Sequence, residues 1–543
     1  MTPEVEPDGV LHSESRPDRY WSTANVGEAL PGVITPLGWS VWGPAIELGM
    51  RDAFARTGAL ERSRVVVPAD ASERVITVFY GRGALSVNFL CEMGDRLPGT
   101  SGDAIARQLL GEVPVEIPLK RNLDRLPAVA VNMPVAFALI RKQVIEGAAT
   151  MPGWWSAWLA QMDTLDIPGV RVALDDARKK LCDMTAIQAR GVFVGVQAMY
   201  DQLLALIERA GLDSDAANAL MAGHGSHAET QIISDLWSLG RGQLTLDAFL
   251  ADHGYHGPRE GELMTKVWRE DPDKVLHLAA QYADRPDAEH PAITAERRTR
   301  ERREAERALL DALPRWQRVP GAVVLRLAAQ RIPLRGVAKE ALQRALDIVR
   351  ASGRRMGVLL VEQGVLPDAD DAFFFTADEL IAGLPENAAE IAAERRALRA
   401  ELEKYDIPQH WGGNPVPFAL DSVDGGGAER VSGIAASGGV VEGTVRLVHD
   451  PAFTDVEDDE VIVCPTTDPS WASVLFLCSA LVVDIGGPLS HAAVVSRELG
   501  IPCVIGTNNG TAVLRTGDRV RVDGNTGVVE VLSRAPRDEG APA

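Results

Sequence analysis

The run Gly486-Gly-Pro-Leu-Ser-His-Ala-Ala-Val-Val-Ser-Arg-Glu-Leu-Gly-Ile-Pro502 constrains this chain more than any other stretch of its 543 residues. Just before it, Ala480-Leu-Val-Val-Asp484 reads as a buried strand. Gly486 and Gly487 then permit a tight turn with unusual φ, which residues bearing a Cβ resist. Ser490 stands where an N-cap belongs, so His491 becomes the first residue of a short helix over about 491–499. Ala492, Val495 and Leu499 share one face of that helix and must pack on a sheet. His491 lies off that face, at an exposed helix N-terminus, where unpaired N–H groups and the helix dipole favour an anion. Neutral imidazole is a competent nucleophile near neutral pH. On residues alone, His491 either decorates a helix end or carries a phosphoryl group between two sites.

A chain this long divides into two or three domains. It is 46% hydrophobic and 24% charged, as globular proteins are. Its net charge of −21 argues against a nucleic-acid or anionic-membrane partner, because nothing offsets phosphate repulsion. The five cysteines, Cys91, Cys182, Cys464, Cys478 and Cys503, form no CxxC pair. They suggest reduced thiols rather than a disulfide framework or a zinc site. The N-terminus lacks the basic and apolar regions of a signal peptide, and no apolar run approaches the ~20 residues of a membrane span. The expectation is an acidic cytoplasmic enzyme.

Residues 1–18 are polar and rich in Pro, Glu and Asp, the composition of a disordered arm. Residues 19–420 form a large, mostly α-helical domain with a small β element. Residues 74–90 read as a hairpin around Gly81-Arg-Gly83. Residues 198–211 and 228–250 have helical apolar spacing. Residues 292–313 and 386–403 are charged helices, either solvated faces with i,i+4 pairs or a coiled-coil surface. The glycine-rich stretch 421–430 reads as a linker that spans roughly 17 Å as a coil and at most about 35 Å extended, so the last domain can travel. Residues 431–533 are a compact α/β domain, with strands at Thr444–Val448, Glu460–Cys464, Ala480–Asp484, Cys503–Ile505, Arg519–Val522 and Val528–Leu532. Residues 534–543 read as a loose tail.

The Gly486–Pro502 run, with Gly433-Ile-Ala-Ala-Ser-Gly438, Gly443-Thr-Val-Arg446, Thr466-Thr-Asp-Pro469, Trp471 and Gly517-Asp518, closely resembles the phosphohistidine swivelling domain of the phosphoenolpyruvate-utilising enzymes. The resemblance implies that His491 is phosphorylated, supported by Gly486, Gly487, Ser490, Arg497 and Thr467. Phosphoenolpyruvate synthase and pyruvate phosphate dikinase follow this domain with a pyruvate-binding barrel, for which the remaining residues leave no room. Nothing here resembles their nucleotide-binding domain, and there is no GxxxxGK[ST] loop.

Trp21–Ser40, Phe79-Tyr-Gly-Arg82 with Asn88, His253-Gly-Tyr-His-Gly257-Pro258-Arg-Glu260, Trp268-Arg-Glu-Asp-Pro272 and Asp370-Asp-Ala-Phe-Phe374 resemble the acceptor-binding domain of rifampicin phosphotransferase. A split between acceptor and nucleotide parts is similar to two-component phenylphosphate synthases and related alkylphenol-phosphorylating systems. That resemblance implies ATP and Mg2+ bound by a separate ATP-grasp-type partner, none bound tightly by this chain, and a small hydroxylated aromatic acceptor. An antibiotic acceptor and a phosphorelay carrier are the alternatives.

Arg335 and Lys339 stand at i,i+4. Spacing alone permits a solvated helix face; two cations on one face also suit a phosphoryl group, whose charge spreads over three oxygens. The resemblance implies the second, although Gly336 stands where the family has Glu. A general base must take the acceptor's proton, and the loop offers His253, with His256, Glu260 and Glu262 nearby. A zinc site on His253 and His256 is the alternative reading, and no metal is the expectation. Asn25, Glu28 and Trp39, beside Trp21 and Trp42, are expected to line the acceptor pocket with His256 and Glu260. His224 and His227 are further candidates.

Overall fold

The computed structural model describes residues 6, 9–23, 26–98, 100–110, 113, 117, 122–212, 214–221, 227–283, 285–420, 429–448, 460–467, 471–487 and 490–535. The arm over 1–18 falls partly outside these residues. So do most of the linker 421–430, the tail 534–543, Asn25 and His224; of the His227 side chain nothing is described. The chain forms two compact units: residues 1–201, 259–265 and 330–422, and residues 202–258, 266–329 and 423–543. Residues 202–258 and 266–329 therefore cluster with the C-terminal α/β segment.

The first unit is a helical bundle with a small sheet. Leu334–Glu362 packs along Ile167–Arg190, which packs along Pro36–Thr57. Thr35 caps the last of these through Gly38 N–H, and Gly58 closes it at φ 87°. Four antiparallel strands stand in the order Ile76–Phe79, Arg82–Ser86, Tyr20–Ser22, His410–Gly412. The expected hairpin turns on Tyr80 and Gly81, both at positive φ, a two-residue turn whose twist suits the flanking strands. Its second strand stops at Ser86 instead of running to 90: the Ser86 hydroxyl accepts from Phe89 N–H and starts the helix Val87–Arg96.

Leu126–Ala149 and Met151–Met162 together make one stretch long and apolar enough to cross a membrane by length and composition. This departs from the sequence expectation. Arg141, Lys142 and Glu146 interrupt the apolar run in the sequence, whereas helical continuity supplies the length. Ile140 and Val144 of this stretch belong to the bundle core, with Leu334 and Ala338.

The second unit is built on an eight-stranded sheet in the order Arg430–Ser432, Val528–Ser533, Arg519–Asp523, Val440–Leu447, Glu460–Cys464, Ala480–Val483, Cys503–Ile505, Ile434–Ser437. The central four strands, Val440–Leu447 to Cys503–Ile505, run parallel. Glu460–Cys464 and Ala480–Val483 are buried throughout. One face meets Val520, Val522 and Leu514; the other joins Trp237, Phe249, Trp268 and Tyr282 in one core. His227–Gly240 packs on Ala472–Leu475, and Pro291–Ala312 on His491–Leu499. The helix expected over 228–250 is two, His227–Gly240 and Leu246–His253, because Gly242 turns left-handed at φ 69° and Thr245 caps a new start.

Candidate functional site

In the second unit the chain leaves the Ala480–Val483 strand, turns through Gly486 and Gly487, and enters the helix His491–Leu499. Neither glycine takes a positive φ, contrary to expectation. Space explains Gly486 instead, since a Cβ there would sit 3.1 Å from Ser490 Oγ. Ser490 caps as expected, its Oγ accepting from Ala493 N–H at 3.2 Å. Gly500 ends the helix at φ 74°. Arg497 Nε donates to the Ala436 carbonyl at 2.7 Å, tying the helix to the Ile434–Ser437 strand.

His491 is only 2% exposed, whereas an exposed helix end is expected from the sequence. Thr467, on the segment that follows the Glu460–Cys464 strand, is its hydrogen-bonding neighbour. The ring Nδ1 lies 3.0 Å from Thr467 Oγ1. In the tautomer where Nδ1–H donates to that hydroxyl, Nε2 holds the lone pair needed for attack.

His253, in the same unit, is buried with Nε2 2.8 Å from Asp235 Oδ2. Burial raises the Asp235 carboxyl, but hydrogen bonds from His253 and Gln231 outweigh it and hold the group below its ordinary value. The His253 and His256 rings lie 6.3 Å apart, and His256 stacks near Tyr255 at 4.2 Å and Trp268 at 5.6 Å. Among the described residues no three His, Cys, Asp or Glu side chains gather to hold a metal ion.

The first unit holds the other candidates. Arg335 and Lys339 lie on Leu334–Glu362, half-buried, and no described carboxylate pairs with either. Along the same helix, Gln343 donates to Glu260 Oε2. Arg350 donates to the Glu260 carbonyl at 2.9 Å and to Asp347 at 3.1 Å, and Trp155 Nε1 reaches Asp347 at 2.8 Å. Glu262 is taken up by the Thr35 backbone and hydroxyl, at 3.0 and 2.9 Å. Trp21 and Trp42 are buried, and Trp42 Nε1 donates to the Gly261 carbonyl at 2.9 Å. Trp39 instead lines a cleft of about 660 Å³ with Arg16, Ser72, Arg74 and Thr376. Glu28 is half-buried on Val26–Ala29. Gln343 and Arg350 escape a reading by motif. Their one signal is the spacing 335, 339, 343, 350, which places all four on one side of the helix.

The family described as PEP-utilising enzyme, mobile domain, matches residues 456–527, around His491. The rifampicin phosphotransferase fourth domain matches residues 240–336, from the His253 loop to Arg335. The segments around Trp21–Ser40 and Phe79–Asn88 lie outside both matched ranges. An uncharacterised protein of Mycobacterium tuberculosis is 32% identical over 285 residues, 52% of this chain and 31% of that one. The prodigiosin synthesizing transferase PigC of Serratia marcescens is 27% identical over 348 residues, 62% and 39% of the two chains. A rifampicin phosphotransferase of a Streptomyces species is 34% identical over 183 residues, 32% and 20%. The chain thus spans well under half the length of these relatives.

Proposed function

We propose that this chain is a phosphotransferase component that carries phosphate on His491 and delivers it to the hydroxyl of a small organic acceptor. The observation that carries the reading is His491 itself, at the head of a capped helix with Nδ1 held by Thr467 inside the mobile-domain match. Phosphate comes from ATP, with Mg2+, on an ATP-grasp-type nucleotide-binding partner, in a dikinase-like reaction. Arg335 and Lys339 hold the transferring group. Their positive charge finds no described carboxylate, and phosphoryl oxygens suit a cationic pair on one helix face. The acceptor is a phenol or alkylphenol, a molecule with an apolar body and one hydroxyl. The similarity to rifampicin phosphotransferase supports a larger hydroxylated acceptor as a second reading.

The test uses ATP labelled at the β-phosphate, this chain and a nucleotide-binding partner. Acid-labile label on wild type and none on His491→Ala supports the reading, as does release of label to phenol. If β-label never reaches His491, the dikinase reading is wrong. If label arrives but no hydroxyl compound removes it, the chain is a phosphorelay carrier.

A further inference from the structure

Phe137 and Arg141 stand one turn apart on the helix Leu126–Ala149, and Arg331 reaches across to the first of them. Its guanidinium lies 4.2 Å over the Phe137 ring and donates to the Phe137 carbonyl at 2.5 Å. Arg331 is only 6% exposed, its Nε is buried without a partner, and no described carboxylate pairs with it. Taking a charge out of water is costly unless an opposite charge accompanies it. A ring face and one carbonyl compensate for that only in part. Burial and the nearby Arg141 charge both hold the Arg331 guanidinium below its ordinary value. Arg141 is exposed and likewise has no described carboxylate partner.

Two further cations follow along the chain. Leu334 and Ala338 pack on Ile140 and Val144 in one core, and Arg335, Lys339 and Arg141 each stand one residue past a member of that contact. All four cations thus belong to the seam between Leu126–Ala149 and Leu334–Glu362, inside one compact unit. The chain has 76 acidic residues against 55 basic ones, so four cations gathered without a described carboxylate depart from what composition alone places together. We infer that Arg141 and Arg331, with Arg335 and Lys339, form a site for a dianionic phosphate group, either inorganic phosphate or the phosphate of a monoester. An oxyanion there neutralises the buried Arg331 and lets two like charges share one partner. Guanidinium forks match phosphate oxygens, whereas a carboxylate brings one charge to four cations. That an ester occupies the site as product rests on the phosphotransfer reading above; the anion site itself stands on this unit alone.

Calorimetric titration of the full-length chain at low ionic strength, with inorganic phosphate, phenyl phosphate and benzoate as separate titrants, tests the site. Binding of either phosphate species to wild type supports it, and the tighter of the two names the source; benzoate should bind about tenfold more weakly or worse. Arg331→Met keeps an apolar stem over Phe137, and Arg141→Gln changes only an exposed side chain. Each should weaken phosphate by about tenfold or more. Lys142→Gln, next along the helix but paired with Glu146 at 3.8 Å, should bind as wild type does. Phosphate should raise the wild-type urea midpoint and leave that of Arg331→Met unmoved, a difference that a merely structural Arg331 would not produce. Wild type that binds neither phosphate species overturns the site. So does binding within about threefold of wild type by both Arg331→Met and Arg141→Gln, or a Lys142→Gln as weak as Arg141→Gln. Full-length protein charged on His491 with phosphoramidate and discharged onto phenol tests the transfer reading separately, so the failure of one is seen without the other.

Discussion

In the proposed transfer, Arg335 and Lys339 hold the phosphoryl group. Replacing either by Ala should leave charging of His491 unchanged and slow discharge onto an acceptor by about 10²–10³-fold, the usual effect of losing one charge-stabilising group. Single-turnover discharge with the phosphoramidate-charged protein checks this. Asp235 makes a different, pH-dependent contribution. Its folded value is lowered, so its stabilisation is present above the unfolded value and lost as pH falls through the folded one. The wild-type urea midpoint should therefore fall on acidification below about pH 4, and Asp235→Asn should flatten that fall. At this scale His491 and Ser490 were legible because Gly486–Pro502 is a local pattern. The burial of His491 was not, because burial depends on residues distant in the chain, of which Thr467 is one. Gln343 and Asp235 were invisible for the same reason: each matters through a partner 83 or 18 positions away.

Elements followed the chain wherever a cap or a turn residue stood in plain view. His491–Leu499 begins at a serine cap and ends at Gly500 in the left-handed region. Ser490→Ala should cost about 1 kcal/mol in a denaturant titration, by orphaning the Ala493 N–H. Gly500→Ala should cost about the same through its φ of 74°, and its Cβ would also run into the Arg298 guanidinium. Pro291–Ala312 and Ala388–Leu402 match the charged helices expected at 292–313 and 386–403. The helix expected over 228–250 breaks because apolar periodicity survives across Gly242, while the backbone there turns out of the helical region. Arg430–Ser432 and Ile434–Ser437 are too short to announce themselves and exist by pairing with Val528–Ser533 and Cys503–Ile505.

At the scale of the whole molecule, Trp237 lies in the same core as Ile462, Leu481 and Ile505 of the C-terminal sheet. Trp237→Ala should destabilise the second unit by about 3–5 kcal/mol, and hydrogen exchange in Glu460–Cys464 and Ala480–Val483 should accelerate with it. Unchanged protection in those strands would show that the helices and the sheet unfold independently. The chain passes from one unit to the other at 201/202, 258/259, 265/266, 329/330 and 422/423. Contiguous composition cannot reveal such threading, since the crossings at 201/202 and 329/330 fall inside the helices Gln197–Ala210 and Arg315–Arg331. It has a consequence during synthesis. Trp237 and Tyr282 emerge from the ribosome roughly 200 residues before the strands that cover them, a wait of roughly 10–40 s at about 5–20 residues per second. For that interval the nascent chain carries aromatic surface without the sheet that completes its core, so slower translation should lengthen the exposure.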